Sequence, residues 1–433
     1  MTLRLFSFDT VRSYREQSAL AANYLLILYA FLLPVAPKAA SKVFIGIAVL
    51  MLFSGGLKEK FFRSLKHPVV LSFILFYLMH ALWMFGSEHI STALFKLKEF
   101  KYLLYVLVIT MILQKGFVSK ILGGFIAGIS LSVLISLSMF SGLPILELLQ
   151  KIPLVTVNTI HPNVPFMVSY TAYSISLVLV ANLMLYRLLV RSGEIFYLRF
   201  LYALIFIGTS TTVFLVDSRL GYILYGISIL FTIAFAFRRY FYRVAAVSSL
   251  LVGTTYVLLY SYSPSFESRV DTIVDDARNS MNASYSSGGG IRIGYYVHGW
   301  EVIRNNPIFG VGTGDHLAEV IDVINRFEKD PANRDALNYN YKSGDSASFD
   351  SEYLDTVVQF GIVGLLVFFN IAYRLIRDPQ PDPYLKYFQY LLALSIVMIA
   401  GPSLIFIPSE VGKALVLLAA LSLSHPIEQR SRA

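Results

Sequence analysis

Residues 200–237 read FLYALIFIGTSTTVFLVDSRLGYILYGISILFTIAFAF. Two apolar runs, near 200–217 and 220–237, are parted only by Asp217–Ser218–Arg219. A helix needs roughly 20 mostly apolar residues to cross the hydrocarbon of a bilayer. Each run approaches that length, so the pair predicts two spanning helices joined by a tight polar reversal at a membrane surface. Ten further segments of this character lie near 21–37, 40–56, 69–86, 102–114, 121–140, 165–186, 244–261, 354–375, 387–406 and 410–425. The segments 40–56 and 102–114 are short for spans.

Composition agrees with that reading. Of 433 residues, 56% are hydrophobic and only 15% charged, against about 25% charged in an average soluble domain. There is too little polar side chain to cover the water-soluble cores that such a length would build. Cysteine is absent, which excludes disulfide frameworks, thiol catalysis and cysteine-held metal. The net charge of +9 is not gathered into a run long enough to track a duplex, so no nucleic-acid partner is expected. The basic excess is read as loop charge that fixes orientation.

With the N-terminus inside, the inner segments carry Arg4, Arg12, Arg15, Lys58, Lys60, Arg63, Lys66, Lys115, Lys120, Arg187, Arg191, Arg199, Arg238, Arg239 and Arg243. Arg374, Arg377, Lys386, Arg430 and Arg432 complete that set. The outer short segments hold fewer: Lys38, Lys42, Lys96, Lys98, Lys101, Lys151, Arg219 and Lys413. This bias predicts that both termini are cytoplasmic. The first apolar stretch follows a polar lead of about 20 residues and lacks a small-residue cleavage site, which predicts a retained span. The expected fold is therefore an all-α polytopic membrane protein. It has about 12 transmembrane helices and one large periplasmic helical loop. Residues 1–261 form an N-terminal membrane region, 262–353 the loop domain and 354–433 a C-terminal membrane region.

A polar loop this long is uncommon without a function. Ser265–Ser287 is acidic and polar, and Gly288–Gly289–Gly290 follows it. Ile291–Asn305 reads as a helix in which Tyr295, Trp300 and Ile303 recur on an amphipathic pattern; Tyr295 and Trp300 either line a substrate path or, as preferred, form a small core. Asn306–Pro307 stops it. Gly310–Val311–Gly312–Thr313–Gly314 reads as a turn, since no Lys-Ser/Thr follows to make a phosphate loop. Asp315–Arg326 is a second helix, and the polar tail 329–348 is expected to be mobile.

Chemistry at the outer rim rests on few groups. Arg219 and Arg292 are either interfacial or surface arginines or an anion site, because guanidinium offers a rigid charged fork that fits phosphate oxygens. Asp350, Glu352 and Asp355 cap a helix start or supply a general base. His161 and His316 read as packing or surface histidines, and His67, His80, His89, His298 and His425 make no i,i+4 metal pair with any other. No metal site is expected.

These elements in combination resemble the bacterial O-antigen ligase and O-antigen polymerase superfamily. The resemblance is carried by Ser218–Arg219 at a span edge and by Arg292, followed by Trp300, Asn306–Pro307 and Gly310–Val311–Gly312–Thr313–Gly314. It ends with Glu352–Tyr353–Leu354 running into Gly361–Ile362–Val363–Gly364–Leu365–Leu366. It covers about residues 215–370. In the ligases a histidine usually opens the His-Asn-x-Tyr-Leu stretch, and here Asp350 stands at that position. The resemblance implies an inner-membrane glycosyltransferase of lipopolysaccharide biosynthesis, without cofactor. The donor would be a glycan on undecaprenyl diphosphate, presented at the periplasmic face. The acceptor would be lipid A-core for a ligase or another lipid-linked repeat unit for a polymerase. The implied catalytic residues are Asp350, Arg292 and Arg219. The substrate contacts would come from Arg219, Arg292, His316, Glu352 and Tyr353, with membrane lipids around them. A transporter of lipid-linked oligosaccharide is the rival class. It would need polar groups deep in spans, for which His80 is the main candidate. A scaffold without chemistry is the third.

Overall fold

The computed structural model describes residues 8–143, 145–151, 157–158, 161, 163–167, 169–190, 195–216, 218–281, 284–343, 348–405 and 409–423. Asp217 and His425 lie outside the described residues. All regular structure among those described is helical. The N-terminal part comprises α1 (Phe8–Val35), α2 (Pro37–Phe53), α3 (Leu57–Leu65), α4 (Pro68–Leu82), α5 (Ile90–Phe100) and α6 (Tyr105–Ile112). It continues through α7 (Val118–Phe140), α8 (Ile145–Gln150), α9 (Tyr170–Val190), α10 (Phe196–Leu215), α11 (Arg219–Ala236) and α12 (Phe241–Tyr262). A cap follows, built from α13 (Pro264–Met281), α14 (Gly288–Asn305), α15 (His316–Phe327) and α16 (Pro331–Ser343). The chain returns through α17 (Glu352–Arg377), α18 (Pro383–Ala400) and α19 (Ser409–Ser422).

Among the described residues, seven helices are long and apolar enough to cross a bilayer, carried by α1, α7, α9, α10, α11, α17 and α18. The pair α2 and α3, bent by 117°, makes an eighth if it is one span. A helix lies in each of the twelve apolar stretches, but α4 has 15 residues, α6 eight and α19 14. Mean hydropathy runs on through turns that end a helix. The stretch near 102–114 is divided between a 3-10 turn, Lys101–Leu104, and α6. The chain is a multi-pass membrane protein. Its outer surface shows large apolar side chains that water would not tolerate in such number, among them Leu134, Leu204, Ile207, Leu250 and Leu366.

The interior of the bundle is held by close approach and buried polar bonds, as expected where lipid gives no hydrophobic drive between helices. Gly124 and Gly128 of α7 let the α1 backbone come close, because a Cβ at Gly124 would stand 2.8 Å from the Ile27 carbonyl oxygen. Asn182 on α9 donates to the Ser228 hydroxyl at 2.8 Å and accepts from Thr232 at 2.6 Å. Thr232 also meets the Tyr387 hydroxyl at 2.7 Å, which ties α9 and α11 to α18.

The cap has its own core, formed by Tyr295, Val302, Leu317, Val320, Ile324 and Leu337 with Leu354 and Val358 of α17. Three expectations change here. Tyr295 is buried as foreseen, but Trp300 is 63% exposed and contributes nothing to that core. Most of the tail beyond 329 is helical rather than mobile: Pro331 starts α16, Leu337 is buried, and Asn333 accepts the Tyr285 backbone N–H at 2.7 Å. Residues 344–347 lie outside the described residues. Helix α14 also begins earlier than expected, at Gly288, because the Ser287 hydroxyl caps it by accepting from the Gly290 N–H at 3.0 Å.

Cap and bundle are joined by backbone. Helix α17 breaks at Gly361, whose φ of 61° lies in the left-handed region. The break frees peptide groups that the segment 307–312 then satisfies. Val311 and Gly312 donate to the Val358 and Gln359 carbonyls at 3.0 and 2.9 Å, and Ile362 donates to the Pro307 carbonyl at 2.9 Å. Trp83 Nε1 donates to the Phe309 carbonyl at 2.7 Å, and Thr313 N–H to the Trp83 carbonyl at 3.1 Å. A Cβ on Gly361 would strike the Ile308 carbonyl, and one on Gly310 the Gln359 carbonyl. Gly361→Ala should therefore lower the unfolding midpoint of the detergent-solubilised protein by several degrees, a loss of about 1–3 kcal/mol. Gly123→Ala, whose Cβ meets nothing within 4 Å, should not lower it. Equal midpoints for the two variants would refute the joint.

Candidate active site

Arg219 is the first residue of α11. Ser218 before it is extended and caps the helix, its hydroxyl accepting from the Gly221 N–H at 3.1 Å. This cap turns the chain so that Arg219 leaves the bundle toward the cap helices. There its Nη1 meets Asp276 Oδ2 of α13 at 2.6 Å, with Arg219 31% and Asp276 9% exposed. Burial pushes the Asp276 carboxyl up. Hydrogen bonds from Ser287 and Arg219, the Arg219 charge and the Gly289 N–H outweigh it and hold the group below the usual carboxylate range. Asp276 thus stitches the start of α11 to the first turn of α14. The glycines make room for it, since a Cβ at Gly289 would run into the Asp276 carboxylate.

Arg292 stands three residues beyond Gly289, on the same face of α14. Its Nε is buried and finds no hydrogen-bond partner among the described residues. The next charge is Asp350. Its φ of 55° is left-handed, a conformation that aspartate tolerates better than most residues. The turn is held by Ser351, which caps α17 by accepting from the Leu354 N–H at 3.3 Å and meets the Tyr296 hydroxyl of α14 at 2.6 Å. Burial pushes the Asp350 carboxyl up, the Arg292 charge draws it down, Asp355 raises it and Lys96 lowers it. The net direction is upward. One turn of α14 thus relates both arginines, Arg219 through Asp276 and Arg292 directly, and Arg292 lies within electrostatic reach of Asp350.

The other expected site residues occupy different places. Glu352 is 1% exposed, and its Oε2 accepts the Ile405 N–H at 3.0 Å. The Tyr353 hydroxyl donates to the Val397 carbonyl at 2.6 Å, bracing α17 on α18. His316 is fully buried with its ring edge-on to Phe349, centroids 5.6 Å apart. His80 is buried against Phe100 at 4.0 Å, with Nδ1 2.8 Å from the Phe76 carbonyl oxygen.

Sequence reasoning passed over Lys96, reading it as an outer loop charge. It is fully buried on α5, and its Nζ lies 2.6 Å from Asp355 Oδ2. Asp355 Oδ1 accepts the Phe349 N–H at 2.9 Å, so the pair fixes the turn that carries Asp350. The signal was present: Ala93, Lys96 and Phe100 fall on one helical face, and that face is the buried one.

Residues 202–369 match the family model described as O-Antigen ligase. The segment is thus similar to that family and supports the superfamily resemblance, and it takes in Arg219, Asp276, Arg292, the Gly310–Gly312 joint and Asp350. No curated protein matches the chain.

Breaking a buried ion pair from one side leaves a bare charge, at a cost of about 3–5 kcal/mol. Lys96→Met should therefore destabilise the solubilised protein strongly. Lys96→Met with Asp355→Asn, which removes both charges and keeps an acceptor for Phe349, should recover most of the loss in thermal unfolding. A double variant no more stable than the single one would show that the pair does not brace this turn.

Proposed function

We propose that the chain is a membrane glycosyltransferase that moves a glycan from undecaprenyl diphosphate to an acceptor sugar at the periplasmic face. Its most direct assignment is O-antigen ligase, with lipid A-core as acceptor. The observation that carries the reading is the gathering of Arg219, Arg292 and Asp350 around the first turn of α14, within the segment that matches the family model.

In the proposed reaction the acceptor hydroxyl oxygen attacks the anomeric carbon on the face opposite the diphosphate. The bond from that carbon to the phosphate oxygen breaks, and its electron pair leaves with the diphosphate. Arg292, with an unused donor, meets the developing charge. Arg219 joins it when the diphosphate displaces Asp276, an exchange of one anion for another on the same guanidinium. Asp350 takes the hydroxyl proton. Glu352, Tyr353 and His316 hold the frame around these groups. The second reading, a polymerase with a lipid-linked repeat unit as acceptor, is favoured by Asp350 itself, which stands where the ligases usually carry histidine.

Reconstituted protein given labelled undecaprenyl-diphosphate glycan with either acceptor tests the assignment. Transfer to lipid A-core supports the ligase, transfer to the repeat unit the polymerase, and movement between leaflets without transfer would overturn both. Removing either arginine should lower turnover about 10²–10³-fold, with lysine at either position falling between. Asp276→Asn frees Arg219 and should lower the KM for donor.

The sign of the pH dependence follows from Asp350. A base must be ionised, so activity rises as pH climbs through its raised pKa. The acidic limb of the rate profile should lie above the usual carboxylate value of about 4. Asp350→Asn should cost about 10²–10⁴-fold and remove that limb. A variant that keeps the limb would exclude Asp350 as the base.

A further inference from the structure

Helix α17 runs 26 residues from Glu352, beside the candidate active site, to Arg377. Beyond the break at Gly361 the remaining 16 residues rise about 24 Å at 1.5 Å per residue, which carries the far end away from that site. A cavity of about 1670 Å³ opens there. Six basic side chains line it: Arg63, Lys66, Lys115, Arg187, Arg374 and Arg377.

Three carboxylates share the lining, Glu59, Asp378 and Asp382, and two of them are already engaged. Asp378 is 5% exposed and accepts from Gln389 Nε2 at 2.7 Å, with His67 Nε2 at 3.3 Å. Asp382 caps α18, accepting from the Tyr384 N–H at 2.8 Å. The basic groups keep the surplus.

Arg187 marks the floor. It comes from the end of α9 and lies over the Tyr384 ring at 4.4 Å, its Nη1 donating to the Tyr202 hydroxyl at 2.9 Å. Its Nε is buried with no hydrogen-bond partner among the described residues, and so is Nδ1 of His67, which also lines the cavity. A buried donor of a charged group left unused is costly, and an acceptor on a bound ligand would satisfy it. The mouth is basic and exposed at Arg63, Arg374 and Arg377. Apolar side chains, Phe62, Val118, Leu122 and Leu385, complete the wall.

We propose that this cavity binds the phosphate headgroup of an anionic phospholipid, with Arg187 as the inner contact and Arg63, Arg374 and Arg377 as the outer clamp. The mixed wall is what separates a lipid from a free anion. A soluble phosphate would use the arginines alone, whereas a phospholipid also covers the apolar side chains. The volume exceeds the roughly 300–1,000 Å³ of small-molecule pockets and leaves room for the first part of an acyl chain. Basic pockets between spanning helices recognise anionic headgroups in this way.

The test reads lipid retention, so it is independent of glycosyl transfer. The full chain, delipidated in detergent, is titrated with phosphatidylglycerol, phosphatidylethanolamine or inorganic phosphate and followed by native mass spectrometry and thermal shift. Saturable binding of phosphatidylglycerol over phosphatidylethanolamine is expected. Arg374→Gln and Arg377→Gln lie on exposed positions that folding tolerates, and each should weaken binding about fivefold. Arg187→Gln should weaken it further. Arg219→Ala, at the other end of the bundle, should leave it unchanged. Inorganic phosphate that stabilises the protein as well as the lipid does would overturn the lipid assignment in favour of a free anion. Binding that does not saturate, or that the arginine variants leave intact, would overturn the site.

Discussion

The backbone joint between Gly361 and the segment 307–312 is the constraint on which the rest of this structure depends. Within a bilayer an unpaired peptide group costs several kcal/mol, so a spanning helix breaks only where something else supplies its hydrogen bonds. Here the cap supplies them, through Val311, Gly312 and the Pro307 carbonyl. The cap is thereby docked at one register and one depth on α17. Nothing larger than hydrogen fits at Gly310 or Gly361, so the two chains meet main chain to main chain. A joint of this kind has little play, and it holds α14 against the start of α17, where Arg292 lies within electrostatic reach of Asp350.

The charges at that face are arranged with the same economy. Arg219 is held by Asp276, yet it remains 31% exposed, so the guanidinium is oriented without being closed off. Asp276 is kept ionised by Ser287, Arg219 and the Gly289 N–H. A guanidinium with a resident carboxylate is already desolvated on one side, and a diphosphate with more charge and more acceptor oxygens competes for it on favourable terms. Among the described residues Arg292 has no such tenant at Nε. Under the proposed mechanism the two arginines differ in this respect: one is ready for the ligand, and the other exchanges a carboxylate for it.

How much of this was legible in the sequence depended on the kind of signal. Apolar runs announce helices directly, and α7, α9, α10, α11, α17 and α18 lie where such runs placed them. The shortness of α6 was hidden in an unbroken apolar count, whereas α3 was read as a basic loop because its lysines and arginine mask its helical phase. Arg219, Arg292 and Asp350 were visible as charges beside glycines and helix caps. Asp276 was not, because its importance lies in three contacts from separate parts of the chain. Lys96 was misread because a lysine beside other lysines looks solvated, and only the helical phase of Ala93 and Phe100 marks it as buried. Trp300 was misread in the opposite sense: its spacing suits a core, but the α14 face that packs inward is the one carrying Tyr295 and Val302.

The aspartate at position 350 can be understood from its surroundings rather than from its ordinary pKa. A histidine there would titrate near 6.5 and an exposed aspartate near 3.9, so a plain exchange would trade a base matched to neutral pH for a weak one. Burial moves a carboxyl upward and an imidazole downward. At this site burial is the largest influence on Asp350, and Asp355 adds to it against the pull of Arg292 and Lys96. Under the proposed mechanism, the partial burial at this turn, which would weaken a histidine base, strengthens an aspartate. Lys96 makes such a turn tolerable, because it neutralises Asp355 at 2.6 Å and spares Asp350 a second bare carboxylate nearby. Lys96 and Asp350 thus belong to one charge arrangement: Lys96 sets the charge around the turn, and burial there raises the Asp350 carboxyl.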